Sequence, residues 1–201
     1  MLGTPSIPRY LSQAHGKLVL VMSVTGDNAT GADNQQERLF SRRGPEDIPA
    51  ELGYYFAGFA DGEGSFNVSF RRRRDYRIPW KVSLSFNVSQ KDTKILELFQ
   101  RIIGCGTLRF RRDGVCYFEV TDLKDILEKV IPFFGRFPIL SRRRRDFLVF
   151  VEIARLMDTG MHLTREGIER ILVLRDPMNN GGKRKYSNQE ILEAFENAGA
   201  G

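Results

Sequence analysis

The residues of this chain best suited to chemistry are the two acids of Asp61-Gly62-Glu63-Gly64, carboxylates one residue apart between glycines. Carboxylates at that spacing, beside carbonyls that glycines leave exposed, make an all-oxygen donor set. Such a set favours a hard cation such as Mg²⁺, or Mn²⁺ in its place. The apolar residues Leu52, Tyr55, Phe56 and Phe59 precede it at i, i+3, i+4 and i+7, the spacing of one helix face. The acids therefore fall at a helix C-terminus, where the helix dipole disfavours each by roughly a few tenths of a kcal/mol. A cation offsets that cost. Gly62 and Gly64 also allow the left-handed turn with which helices end. Taken alone the turn is a weak signal, because most such turns are plain surface turns.

The elements that must position these acids are legible on either side. Asp47 can cap the helix and Pro49 suits its first turn. Gly53, Ala57 and Ala60 form a small-residue stripe that, with Gly58, would let a second helix approach closely as a dimer contact. The alternative is that this stripe tucks the helix against its own sheet. Beyond the acids the period becomes two. Phe66, Val68 and Phe70 alternate with Asn67, Ser69 and Arg71, and Trp80 to Val88 alternate with Lys81 to Ser89. This is the pattern of half-buried antiparallel strands. A helix over about 93–103 ends at Gly104. Two short strands follow, with Leu108 and Phe110 and then Cys116, Phe118 and Val120 facing in, joined by a turn at Asp113-Gly114. Helical segments follow at about 122–134, 142–157, 164–175 and 187–198, broken at Pro132 and Pro138, at Gly160 and at Asn179-Asn180-Gly181-Gly182. The fold class is α+β: an αββαββα core with a four-stranded antiparallel sheet covered on one face, plus C-terminal helices.

The uncovered face of that sheet carries Asn67, Ser69, Arg71, Arg73, Lys81, Ser83, Ser85, Asn87, Arg109, Arg111, Tyr117 and Glu119. Most of these are hydrogen-bond donors and several are cationic, side chains that suit base edges and phosphates. An ordinary solvated face would carry more Glu and Lys. Arg71, Arg72, Arg73, Arg74 and Arg77 cluster at the loop between the first two strands, and Arg142 to Arg145 form a second run. Across 201 residues, Lys plus Arg number 31 against 25 acids, a formal charge of +6, which favours a polyanionic partner.

Other classes fit less well. The two cysteines, Cys105 and Cys116, form no C-x-x-C pair, and the two histidines, His15 and His162, stand apart, so a structural zinc site is disfavoured. Two free buried thiols suit a reducing compartment. The apolar run Leu18 to Val24 is too short to span a membrane and lacks a basic region just before it, so no signal peptide is read. The chain reads as intracellular, in the cytoplasm or an organellar matrix. There the acceptor motif Asn28-Ala29-Thr30 would be inert. Residues 1–45 are rich in Gly, Pro, Ser, Thr and Asn and read as an N-terminal extension to a domain over 46–201.

Phe56-Ala57-Gly58-Phe59-Ala60-Asp61-Gly62-Glu63-Gly64 resembles the signature of the LAGLIDADG homing endonucleases. Gly58, Asp61 and Gly64 match directly, and Glu63 stands for the second aspartate. Phe86 to Asp92, Ile131 to Phe134, and Leu140-Ser141-Arg142-Arg143 to Asp146-Phe147 resemble later segments of the family, in all about residues 50–190. The resemblance implies an intron-encoded enzyme that cuts double-stranded DNA at one long site with divalent metal. Two signature helices pack together in that family, and no second G-x-x-D-G-[DE]-G occurs in residues 65–201, which implies a homodimer and a near-palindromic target. It further implies Glu63 as metal ligand with the Gly62 carbonyl, Asp61 as support for the helix end, and Gln90 orienting water. Arginines stand where the family often has paired lysines, so Arg142 or Arg143 would stabilise phosphorane charge. Arginine stays charged and cannot act as acid or base there. The alternatives carried beside this reading are a maturase binding intron RNA on the same scaffold and a catalytically dead DNA-binding regulator. The presence of both Asp61 and Glu63 argues against the dead regulator.

Overall fold

The alternating stretches form the strands Gly64–Arg72 (β1) and Trp80–Gln90 (β2), paired antiparallel from Gly64 opposite Val88 to Arg72 opposite Trp80. Thr107–Phe110 (β3) and Cys116–Val120 (β4) complete a sheet of order β1-β2-β4-β3. In this computed structural model the described residues are 44–73, 80–182 and 184–199. Arg74, Arg77, the Lys17–Val24 stretch, Asn28 and nearly all of the 1–45 extension lie outside them.

In β1, β2 and β4 alternate residues are buried, from Phe66, Val68 and Phe70 through Val82, Leu84 and Phe86 to Phe118 and Val120. Helices cover that face. They are Ala50–Glu63 (α1), Thr93–Ile103 (α2), Leu123–Asp125 (α3), Ile131–Arg136 (α4), Arg143–Asp158 (α5), Arg165–Arg175 (α6) and Asn188–Gly199 (α7). Phenylalanine rings bind the two layers: Phe66 lies 5.3 Å from Phe150 and 5.5 Å from Phe134, and Phe86 lies 5.2 Å from Phe134. Such pairs add about 0.5–1.5 kcal/mol each beyond the area they bury. The one charged residue buried among those described, Arg175, lies over the Phe70 ring at 4.5 Å and donates to Asn188 Oδ1 at 3.0 Å. It ties α6 to β1 and to α7.

Local departures from the sequence reading have local causes. Asp47 does not cap α1. It closes the 3-10 turn Pro45–Asp47, and Pro49 stands at the N-cap. Phe110 shares the inner side with Leu108 but lies at the end of an edge strand past the helical cover, and it is 68% exposed. Pro132 does not break its helix, because it falls in the first turn of α4, after the π-helical turn Ile126–Val130, where a missing N–H costs little. Asp92 caps α2 through the Lys94 amide at 3.0 Å, and Gly104 ends it in the left-handed region at φ 75°. Among the described residues no helix is long and apolar enough to cross a membrane.

Candidate active site and nucleic-acid face

The acidic turn ends α1 and begins β1, so it sits where the helix meets the bottom of the sheet. Its two carboxylates have different surroundings. Asp61 accepts from the amides of Leu140 at 3.2 Å and Ser141 at 3.0 Å, and from Ser141 Oγ. It fastens the segment that leads into α5. Glu63 is exposed and has no hydrogen-bond or ion-pair partner among the described residues.

Arg143, at the start of α5, closes over the turn from the other side. Its guanidinium donates to the Gly64 carbonyl and, at 2.9 Å, to the Gly62 carbonyl. Arg142 turns away to Asn180 Oδ1 at 3.4 Å. The geometry thus distinguishes two arginines that the sequence left equivalent. The Gly62 carbonyl, read as a metal donor, here accepts from Arg143. Gln90 ends β2, two residues beyond Val88, which pairs with Gly64, so it lies beside the acidic turn. Its Oε1 accepts from the Lys91 amide at 2.8 Å.

The expected dimer stripe needs correction. Gly53, Ala57 and Ala60 are buried in the chain's own core, with Ala57 3% and Ala60 0% exposed. A Cβ on Gly53 would meet the Phe137 ring at 2.2 Å. These small residues let α1 sink onto its own fold, and they are unavailable to a partner. The exposed stripe is Glu51, Tyr55, Gly58 and Gly62, at i, i+4, i+7 and i+11, flanked by Tyr54. Among the described residues nothing lies within 4 Å of a Cβ built on Gly58 or Gly62. Gly53→Ala should therefore lower stability by about 1–3 kcal/mol through overpacking, read as a fall in thermal melting temperature.

On the sheet, Ser69, Arg71, Lys81 and Arg109 are exposed and Asn67, Ser83, Ser85, Asn87, Tyr117 and Glu119 half-buried, all on the uncovered side. Arg109 pairs with Glu119 at 3.4 Å, and Arg111 donates to the Tyr117 hydroxyl. Arg73 follows β1 on the same side. Strand alternation puts Arg72 on the helix-covered side, past the last buried residue. There its charge adds to the Ser187 hydrogen bonds that hold the Glu190 carboxyl below its usual range. Burial pushes the Cys105 thiol up to about 12 and also raises Cys116, so neither offers a thiolate near neutral pH. No group of three or more His, Cys, Asp or Glu able to hold a metal occurs among the described residues. The sequence reading missed Ser141, which completes the bonds to Asp61, and Asn179 with Asn180, read only as a helix break. The signal for the latter was present, since asparagine is the non-glycine residue that best tolerates the left-handed region.

Residues 56–154 match the family model described as LAGLIDADG endonuclease. A "Probable intron-encoded endonuclease 3" of Neurospora crassa is 30% identical over 132 residues, covering 64% of this chain and 25% of that protein. The "DNA endonuclease I-CvuI" of Chlorella vulgaris is 40% identical over 110 residues, covering 52% of this chain and 65% of that protein. The chain thus spans about a quarter of the first relative's length and about two thirds of the second's. Among solved structures, an archaeal intron-encoded homing endonuclease, I-Vdi141I, complexed with DNA, superposes with a TM-score of 0.70 at 25% identity. The superposition covers 75% of this chain and 98% of that one.

Proposed function

The chain belongs to the LAGLIDADG endonuclease family, and from that premise we propose that two copies of it form one site-specific nuclease that cuts both strands of duplex DNA. The observation that carries this reading is the exposed, unpartnered carboxylate of Glu63 at the end of a helix whose outer stripe is Gly58 and Gly62. An exposed helical glycine costs roughly 0.5–1 kcal/mol relative to alanine, and nothing among the described residues requires one at these positions. Close approach of a second α1 does require them, and it would bring two Glu63 carboxylates together.

The donors fit a hard divalent cation. They are oxygens only, Glu63 is free to bind and Asp61 is not, so at this site each copy offers one free carboxylate and a pair completes the set. Mg²⁺ or Mn²⁺ held there would polarise the phosphate and lower the pKa of a water. The chain's own groups do the rest. Asp61 fixes the start of α5, so that Arg143 arrives over the turn with its charge facing the place where phosphate charge develops. The Gln90 amide, beside the turn, can orient a water. The two sheets lie as a saddle in flanking major grooves, where Lys81, Arg71, Arg73 and their polar neighbours meet base edges and phosphates. Cleavage across the minor groove leaves 3′ overhangs, and the long target is near-palindromic because the dimer is symmetric.

The test is a plasmid library carrying randomised sites, incubated with the protein in Mg²⁺ and in chelator. Recovery of one family of near-palindromic sites, cut only with metal, is the expected result. Uncut libraries with specific retention of structured intron RNA would favour the maturase reading instead. A sharper check compares the two arginines. Arg143→Ala should cost about a hundredfold or more in single-turnover cleavage, the scale for losing a fixed transition-state donor. Arg142→Ala should cost less than about tenfold, and the reverse order would refute the assignment.

A further inference from the structure

Asn67 and Asn179 are 112 residues apart in sequence and meet at the edge of β1. Asn179 Nδ2 donates to the Phe66 carbonyl at 3.0 Å. A backbone carbonyl only accepts, so the amino end of the Asn179 carboxamide must face β1, and the usual ambiguity between amide nitrogen and oxygen is removed. The same Nδ2 lies 3.2 Å from the Asn67 side chain. An amino group there would face another amino group, so Asn67 must present its oxygen. Ser65 Oγ donates to that oxygen too, at 3.1 Å. Both lone pairs of Asn67 Oδ1 are then in use. Its Nδ2 has no partner among the described residues, and strand alternation places Asn67 on the uncovered face.

The turn that delivers Asn179 is itself fixed. Asn179 and Asn180 both lie in the left-handed region, at φ 51° and 57°. Asparagine tolerates that region better than other non-glycine residues, and the contacts around this turn hold both there. Met178 is buried, and Arg184 Nη2 donates to the Arg175 carbonyl at 2.6 Å and to the Asp176 and Met178 carbonyls at 3.3 Å. Asp146 Oδ1 accepts from the Asn179 amide at 3.3 Å.

We propose that Asn179 locks Asn67 as a donor-only reader of one base pair in each half-site. This rests on the uncovered sheet face being the DNA face. The common asparagine contact, bidentate to adenine N6 and N7, needs both the amide oxygen and the nitrogen. Here the oxygen is occupied. Asn67 offers N–H alone, which suits guanine N7 and O6 or thymine O4 and leaves the adenine N6 amino group facing a donor.

The experiment is a cleavage profile on targets varied one base pair at a time, symmetrically in both half-sites. The position read by Asn67 is the one whose preference collapses in Asn67→Ala. There the unaltered protein should reject adenine by about tenfold or more, the lower end for one lost base contact. Asn179→Gly keeps the left-handed backbone without strain and removes only the carboxamide. It should let Asn67 turn over and bring adenine within about threefold of the preferred base. Asn67→Asp can accept the same bonds and presents only an acceptor to the groove, so it should move the preference to cytosine or adenine, whose amino groups donate. An unchanged profile in Asn179→Gly, or a retained guanine or thymine preference in Asn67→Asp, overturns the proposal. So does an Asn67→Ala variant with no altered base preference. If Asn179→Gly melts before assay, Asn67→Asp decides. A protein that cuts no member of the library with metal present instead defeats the nuclease reading itself.

Discussion

Glu63→Gln should yield a protein that folds, pairs and binds its site but does not cut it. Glutamine has the shape of glutamate and none of its charge. Glu63 is exposed and has no partner among the described residues, so its replacement should move stability by no more than about 0.5 kcal/mol. What is lost is the carboxylate that, of the two in Asp61-Gly62-Glu63-Gly64, is free to hold a cation. Metal stabilisation of the transition state is worth several kcal/mol, and each 1.36 kcal/mol is tenfold in rate, so cleavage should fall by about a thousandfold or more. Specific binding should stay within about tenfold, because the sheet contacts are untouched. Single-turnover cleavage beside equilibrium binding separates the two effects. A variant that keeps more than about a tenth of the original rate would show that the cation is held elsewhere.

Gly58→Glu should break the assembly without harming the chain. No atom of the described residues lies within 4 Å of a Cβ at this position, and replacing an exposed helical glycine should favour the helix by roughly 0.5 kcal/mol. Across a twofold axis the same change sets two carboxylates against each other where backbones should touch. Like charges so placed cost several kcal/mol, enough to weaken the dimer by about a hundredfold or more. Sedimentation velocity at micromolar protein should show a monomer with unchanged helical content by circular dichroism, and cleavage should fail with it. A dimer that survives and cuts would rule out this helix face as the interface. Gly53→Ala gives the contrast: it should destabilise the chain and leave association of the folded fraction alone.

Much of this was open to reading along the chain, because it depends on near neighbours. Period-two alternation fixed which residues of β1 and β2 face the core, the register following from one buried face. The helical spacing before Asp61 placed both acids at a helix end, but the glycines around them make no left-handed turn: Gly62 stays helical and Gly64 enters β1 extended at φ −81°. Whether a small-residue stripe faces outward or inward is not a local property. Gly53, Ala57 and Ala60 looked suited to a partner helix, but the Phe137 ring, 84 positions further along from Gly53, occupies that side, leaving Gly58 and Gly62 on the open one.

The division of labour at the site was likewise decided by contacts distant in sequence. Asp61 and Glu63 are both acids in one turn. They differ because the amides of Leu140 and Ser141 come back to Asp61 alone. Arg142 and Arg143 are the same residue type side by side on the chain. They differ because successive residues at a helix start point about 100° apart, one toward the acidic turn and one toward Asn180. Composition and spacing determined that this protein carries paired acids, a donor-rich sheet and a close-packing helix. Only the folded chain decided which acid stays free, which arginine attends it and which way Asn67 presents its amide. Those choices are made by hydrogen bonds and rings that close over separations of roughly 80 to 110 residues, beyond the reach of any local sequence period.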